Sequence, residues 1–76
     1  MTQHDTLDAC GLLCPLPVLK LRKRLKSLNV GDMIALRADD PAAVVDVPHF
    51  CMESGNELVS TEDAGPARVY LIRKTT

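Results

Sequence analysis

The residue best suited to chemistry in this sequence is Cys14, which stands directly before Pro15 in Cys14-Pro15-Leu16-Pro17. The apolar pattern that follows predicts a helix beginning at Pro15, so the thiol would lie at the helix N-terminus. The first backbone N–H groups of a helix lack intrahelical partners, and the aligned peptide dipoles place partial positive charge there. We therefore expect a lowered pKa for Cys14 and a thiolate that attacks, carries or exchanges sulfur.

The other cysteines and the histidines are weaker candidates for chemistry. Cys10 is close enough in sequence to Cys14 for a disulfide or a resolving role, although burial as a small side chain at a strand end is the simpler interpretation. Cys51 is expected to be buried in a second helix without a role. His4 is expected to be solvated, and His49 would act as a base only if folding brought it to Cys14.

A metal site would have to recruit Cys10, Cys14, His49 and Cys51. Their spacing disfavours it, because neither Cys-x-x-Cys nor His-x-x-x-His is present, and a short helix would not aim His49 and Cys51 at one point. We expect neither a metal nor a cofactor.

Charge is distributed unevenly along the chain. The 9 basic and 10 acidic side chains give a net charge of −1, which argues against a nucleic-acid-binding protein. No acidic residue occurs from Ala9 to Gly31, and the predicted first helix carries most of the basic ones. This basic face is either an ordinary solvated surface or a docking face for acidic protein partners. Its members are Lys20, Arg22, Lys23, Arg24 and Lys26.

Length and composition predict one small domain, residues 1–76. With 46% apolar residues but a single Phe and a single Tyr, its core must be aliphatic. The 3 cysteines are an odd number that does not suit a secreted disulfide scaffold, the first residues do not resemble a signal peptide, and no apolar run is long enough to span a membrane. We expect a reduced, cytoplasmic protein that acts as a monomer.

The apolar periodicity predicts alternating strands and helices. A first strand is expected over Asp5–Ala9, with Leu7 and Ala9 on one face, and a second over Met33–Ala38. Between them a helix is expected over Pro15–Leu28. Its buried stripe contains Val18, Leu21, Leu25 and Leu28.

The second half of the chain predicts one more helix and a hairpin. Asp40 is expected to cap a helix whose first residue is Pro41 and which Pro48 kinks or splits before its end at Ser54-Gly55. Strands over Glu57–Thr61 and Arg68–Lys74 are joined by a turn at residues 63–66. The order is β-α-β-α-β-β. Because a chain this short cannot supply a second helical layer, both helices should pack on one face of a four-stranded sheet, as a two-layer α+β sandwich.

Several segments together resemble one known family. Leu7–Pro17, which contains the Cys-Pro-x-Pro element after a Gly-Leu turn, is similar to the signature of the TusA/SirA-like sulfur-carrier family. Ala38–Ala42, Val47–Cys51 and Tyr70–Lys74 also resemble it, so the similarity spans nearly the whole chain. Leu16 stands where some members have an acidic residue, and Cys10 where many have no cysteine.

The resemblance implies a fold and a function. It implies a mixed four-stranded sheet with two helices, similar to the C-terminal domain of a translation initiation factor. It also implies that Cys14 accepts a sulfane sulfur, as a persulfide, from a cysteine desulfurase or a rhodanese-like donor and passes it to an acceptor protein. Members of the family serve thiolation of tRNA wobble uridine, molybdenum-cofactor assembly or sulfur oxidation.

The prediction is therefore a sulfurtransferase that acts as a persulfide carrier through Cys14, without direct contact with nucleic acid or membrane. Two alternatives stay open. One is a non-enzymatic interaction module that docks through its basic helix, and the other is a dithiol redox switch through Cys10 and Cys14.

Overall fold

The computed structural model describes residues 4–76, which form four strands and two helices in the predicted order β-α-β-α-β-β. The expectation for the His4 side chain lies outside what the structure describes. The first strand begins and ends one residue earlier than predicted. The elements are β1 His4–Asp8, α1 Leu16–Leu25, β2 Met33–Ala38, α2 Ala43–Ser54, β3 Glu57–Ala64 and β4 Ala67–Arg73.

The strands form one mixed sheet in the order β1-β2-β4-β3. β1 and β2 are parallel, which requires the crossover through α1, whereas β4 pairs antiparallel with both β2 and β3. The two helices contact each other, and both contribute to a single buried cluster with the sheet. The predicted α+β fold with two helices and a mixed four-stranded sheet is confirmed.

The core is aliphatic apart from Tyr70 and the Cys51 thiol, as the composition predicts. In β2 the side chains of Ile34, Leu36 and Ala38 all point inward, at most 2% exposed, because alternate residues of a strand share one face. The predicted helix stripe is buried at Leu21, Leu25 and Leu28, and Val18 packs at its edge. From α2 the core receives Ala43, Val47 and Cys51, and from β4 Tyr70 and Ile72.

The first helix is shorter than the predicted Pro15–Leu28. Pro15 is the N-cap rather than the first helical residue, and the helix ends at Leu25. After it the amides of Ser27 and Leu28 donate to carbonyls only three residues back, at 3.0 and 3.1 Å, so the chain tightens into a turn. Leu28 is still buried, because the turn keeps it over the core.

The second helix differs from prediction at its start, and Pro48 does not split it. Its N-cap is Ala42, and Asp40 instead accepts the Ala42 amide at 3.2 Å in the turn before the helix. Pro48 lies inside one helix, Ala43–Ser54, and does not split it. Proline lacks the amide that would donate to the Val44 carbonyl, so the helix continues through Pro48 without that hydrogen bond. The predicted end at Ser54-Gly55 is confirmed, with Gly55 left-handed at φ 79°.

The hairpin is longer and its turn tighter than predicted. β3 continues to Ala64, so only Gly65 and Pro66 connect it to β4. A two-residue turn at this position needs a positive φ, which Gly65 supplies at 69°. Within residues 4–76 no helix is both long and apolar enough to cross a membrane.

Candidate functional site

Two connections meet at the carboxyl edge of the parallel strands. The first connection, residues 9–15, leads from β1 to α1, and the second connection, residues 39–42, leads from β2 to α2. Because β1 and β2 are parallel, both connections begin at the same edge of the sheet. Side chains of the second connection accept backbone amides of the first, with Gly11 N to Asp39 Oδ1 at 3.0 Å and Cys14 N to Asp40 Oδ2 at 2.5 Å. The first connection is therefore held in place by aspartates distant in sequence.

The Cys14 side chain is exposed and faces α2. Its Sγ donates to Oδ2 of Asp46, at 2.6 Å, and Asp46 lies in the first turn of α2. This hydrogen bond raises the pKa of the Cys14 thiol above its ordinary value, with smaller contributions from desolvation and from the negative charges of Asp46 and Asp40. The sequence-based prediction of a lowered pKa is therefore wrong. At neutral pH the resting thiol keeps its proton.

The error has a clear physical origin. The first connection and α1 contain no acidic residue, but α2 and the second connection bring two carboxylates to the thiol. The basic side chains of α1 are directed partly to other partners, since Lys20 Nζ donates to the Asp8 carbonyl at 2.7 Å and Arg24 pairs with Asp5 at 2.8 Å. Charges in direct contact outweigh a helix dipole and more distant cations in water.

A groove between the two helices opens beside the thiol. It has a volume of about 250 Å³ and is lined by Cys14 and the apolar Pro15 and Val18 on one side, with Asp46, His49 and Phe50 on the other. His49 thus shares a groove with Cys14, as its conditional role as a base requires. Its Nε2, however, pairs with Glu53 one turn further along α2.

The other two cysteines occupy different environments. Cys10 is half-buried, and burial together with a hydrogen bond to Asp8 raises the pKa of its thiol. Cys51 is 2% exposed, and burial raises its pKa to about 11, so its predicted place in the core is confirmed. All 3 cysteines of the chain are free thiols, and Cys10 and Cys14 donate to different carboxylates.

Among residues 4–76 no three His, Cys, Asp or Glu side chains are grouped closely enough to hold a metal ion. The site that the structure assembles is a thiol with carboxylates, Cys14 with Asp46 and Asp40. Sequence reasoning named Cys14 and treated Asp40 only as a helix cap, and it missed Asp46. The only local signal for Asp46 was an acidic residue near the start of a predicted helix, which usually indicates a favourable interaction with the helix dipole.

Comparison with known proteins places the chain in a family. The family model described as sulfurtransferase TusA matches residues 5–74. The chain belongs to the TusA sulfurtransferase family. The TusA match includes both connections, α1, α2 and the complete Cys14-Pro15-Leu16-Pro17 element.

Among solved structures, the crystal structure of a SirA-like protein from Desulfitobacterium hafniense has the same fold as this TusA-family chain. It superposes with a TM-score of 0.81 at 22% sequence identity, covering 95% of this chain and 99% of the other. At family level the chain is thus a sulfurtransferase or sulfur carrier with the SirA-like fold.

Proposed function

We propose that the protein is a persulfide carrier in which Cys14 takes up a sulfane sulfur and passes it to an acceptor protein. The observation that carries the proposal is the exposed Cys14 thiol in a TusA-family chain. This thiol lines a groove and donates a hydrogen bond to the Asp46 carboxylate at 2.6 Å. Cys10 and Cys51 are less accessible, so Cys14 is the thiol that a second protein reaches most easily.

The chemistry requires two thiol–persulfide exchanges. In the first, Cys14 Sγ attacks the outer sulfur of the donor's persulfide, a new S–S bond forms on Cys14, and the donor's S–S bond breaks with its electron pair left on the donor cysteine. The thiol proton lost by Cys14 balances the one gained by the donor sulfur, so no oxidant or reductant is consumed. In the second exchange an acceptor thiol attacks the outer sulfur on Cys14, and Cys14 returns to the thiol.

The donor in this proposal is a cysteine desulfurase or a rhodanese-like protein, and the acceptor is a protein of tRNA 2-thiouridine synthesis, molybdenum-cofactor assembly or sulfur oxidation. The surface around the thiol is suited to protein contact, because Leu13 and Leu16, which flank Cys14-Pro15, are 70% and 48% exposed. Exposed Lys20 and Lys23 of α1, together with Lys26 directly after it, favour an acidic partner surface. We place the carrier, as one domain over residues 1–76, in the reducing cytoplasm, since it works only with Cys14 reduced.

The proposal is tested by intact mass after incubation with a cysteine desulfurase and cysteine. Wild-type protein is expected to gain one sulfur, about 32 Da, and the gain should be lost in Cys14→Ser and kept in the matched control Cys10→Ser. Reduction with a thiol should remove the added mass, because a persulfide is reducible.

Other outcomes would support the two alternatives. Absence of an adduct on wild-type protein contradicts the carrier. Loss of about two hydrogens that either substitution abolishes would indicate a Cys10–Cys14 disulfide and a redox switch. An unreactive Cys14, with partner binding unchanged in Cys14→Ser, would indicate an interaction module.

A further inference from the structure

We propose that Asp46 is a second catalytic residue of the carrier, which accepts the proton of Cys14 as Sγ attacks the donor's sulfur and returns it to the leaving sulfur. This inference rests on the proposed function, because it concerns the same exchange. Its basis is the contact between Cys14 Sγ and Asp46 Oδ2 at 2.6 Å, which joins the reacting atom directly to a carboxylate. A general base must lie within hydrogen-bond reach of the proton it removes, and Asp46 does.

The other ionisable groups around the thiol are engaged elsewhere. Asp40 accepts the backbone amides of Cys14 and Ala42, at 2.5 and 3.2 Å, and so holds the chain rather than the sulfur. His49 and Glu53 line the same groove and pair with each other. The α1 side of the groove presents only the uncharged Pro15 and Val18.

The position of Asp46 on α2 fixes where its carboxylate lies relative to the thiol. Asp46 occupies the first turn of the helix, where its own amide donates to the Ala42 carbonyl at 2.9 Å. The next residue, Val47, is fully buried, which anchors this turn against the core. The carboxylate therefore belongs to a helix that packs against the core, whereas the thiol belongs to the first connection.

The contact has two consequences that act in opposite directions. At rest the carboxylate disfavours the thiolate, because a second negative charge would lie beside it, and Cys14 stays a protonated thiol. During attack Sγ donates electron density to the new S–S bond, its proton becomes more acidic, and Asp46 takes it. The donor's S–S bond breaks in the same step, and Asp46 then protonates the donor's departing sulfur.

The proton balance is closed without any further reagent. One persulfide and one thiol enter, one thiol and one persulfide leave, and Asp46 begins and ends as a carboxylate. In the unloading step the same carboxylate takes the acceptor thiol's proton and returns it to Cys14, since the exchange is the same reaction in reverse.

The test compares Asp46→Asn with wild type in two measurements. The ultraviolet absorbance of the thiolate, titrated against pH with Cys14→Ser as the reference, should show Cys14 ionising at lower pH in Asp46→Asn. Uptake of sulfur from glutathione persulfide at neutral pH, followed by intact mass, should nevertheless fall by about a hundredfold. A small-molecule donor is used so that docking of a protein donor does not contribute to the rate.

Two further variants separate the catalytic role from loss of structure. Glu62→Gln removes one exposed carboxylate from β3 and should change neither measurement. Asp46→Glu keeps a carboxylate and should retain uptake to within about tenfold of wild type. On wild-type protein alone, uptake at neutral pH should exceed the rate that its thiolate fraction would give, a result that does not depend on any variant folding.

The outcomes distinguish this inference from the proposed function. If Asp46→Asn takes up sulfur as fast as wild type, or faster in proportion to its thiolate, Asp46 only suppresses ionisation and the inference is wrong while the carrier stands. An unchanged titration of Cys14 would also overturn it, because the contact would then not exist in solution. If wild-type protein takes up no sulfur from either glutathione persulfide or a desulfurase, the proposed function itself fails.

Discussion

The two strand-to-helix connections of this small fold have similar positions and opposite chemical character. The first connection carries the Cys14 thiol and is followed by a basic helix, whereas the second connection contributes Asp39 and Asp40 and is followed by Asp46. They meet because β1 and β2 are parallel and neighbouring, so both connections leave the sheet at the same edge. One connection supplies the reacting atom, and the other supplies the groups that hold it.

The difference shows how a thiol's environment is decided. The segment around Cys14 alone predicts a positive field and a thiolate. In the folded molecule the sulfur donates to Asp46 and lies near the charge of Asp40, and the pKa of the thiol is raised. A carrier gains from this arrangement, because a protonated thiol is a poor nucleophile towards adventitious electrophiles. On our proposal, it becomes reactive when a persulfide arrives and Asp46 takes the proton.

The largest expected effect comes from loosening the helix that follows the first connection. Leu21 is fully buried beneath α1, so Leu21→Ala should lower the free energy of unfolding by about 2–5 kcal/mol through lost burial and a cavity. Leu19→Ala, on the same helix but 49% exposed, should change it by less than about 0.5 kcal/mol. Urea denaturation measures both, and equal effects would mean that α1 does not pack as described.

A second effect concerns Cys51, whose thiol pKa is raised by burial alone, in contrast to Cys14, whose pKa is raised mainly by a carboxylate. Cys51 has a pKa of about 11 in the folded protein, above the ordinary value of about 8.5, so the folded state holds the proton more tightly. The stability this gives is fully present below the unfolded pKa and is lost as pH rises through the folded one. Wild-type protein should therefore lose about 1.4 kcal/mol per pH unit over this window relative to Cys51→Ala.

Met52→Ala is the matched control for Cys51, since Met52 is the next residue of α2 and is 79% exposed. Its stability should follow the wild-type pH dependence. Urea denaturation at several pH values between the two pKa values measures all three proteins. A Cys51→Ala protein whose stability fell as steeply as wild type would show that Cys51 ionises in the folded state as it does in the unfolded chain.

The smallest of these effects comes from removing one of the two aspartates that join the connections, the one that accepts the Cys14 amide. Asp40→Ala removes acceptors for the amides of Cys14 and Ala42 and should cost about 1–2 kcal/mol of stability. Amide hydrogen exchange at Cys14 should also become faster, because its N–H loses a protein acceptor. Glu62→Ala also removes one carboxylate, but an exposed one. It should change stability by no more than about 0.5 kcal/mol and leave the Cys14 exchange rate unchanged. An unchanged Cys14 exchange rate in Asp40→Ala would show that Asp40 does not hold the Cys14 amide.

Much of the fold could be predicted because its signals are local. Alternation in β2 and the three-and-four spacing of Leu21, Leu25 and Leu28 report which face is buried, and the structure buries those residues. Errors occurred at element ends, where competing turns decide. Asp40 accepts an amide in the turn before α2 instead of capping the helix, and α1 ends at Leu25 where the chain tightens into a turn.

The sequence by itself determined the order of the elements, the aliphatic core and the placement of Cys14 just before a helix, since each depends on residues within a few positions of one another. Only the tertiary structure decided the chemical state of that thiol. Asp40 and Asp46 are separated from Cys14 by 26 and 32 residues, and no periodicity reports contacts at such distances. Parallel pairing of β1 with β2 brings the two connections together, so that Asp46 contacts the sulfur and Asp40 the Cys14 amide. At these distances the two negative charges outweigh the effect of the helix N-terminus that follows Cys14 in sequence.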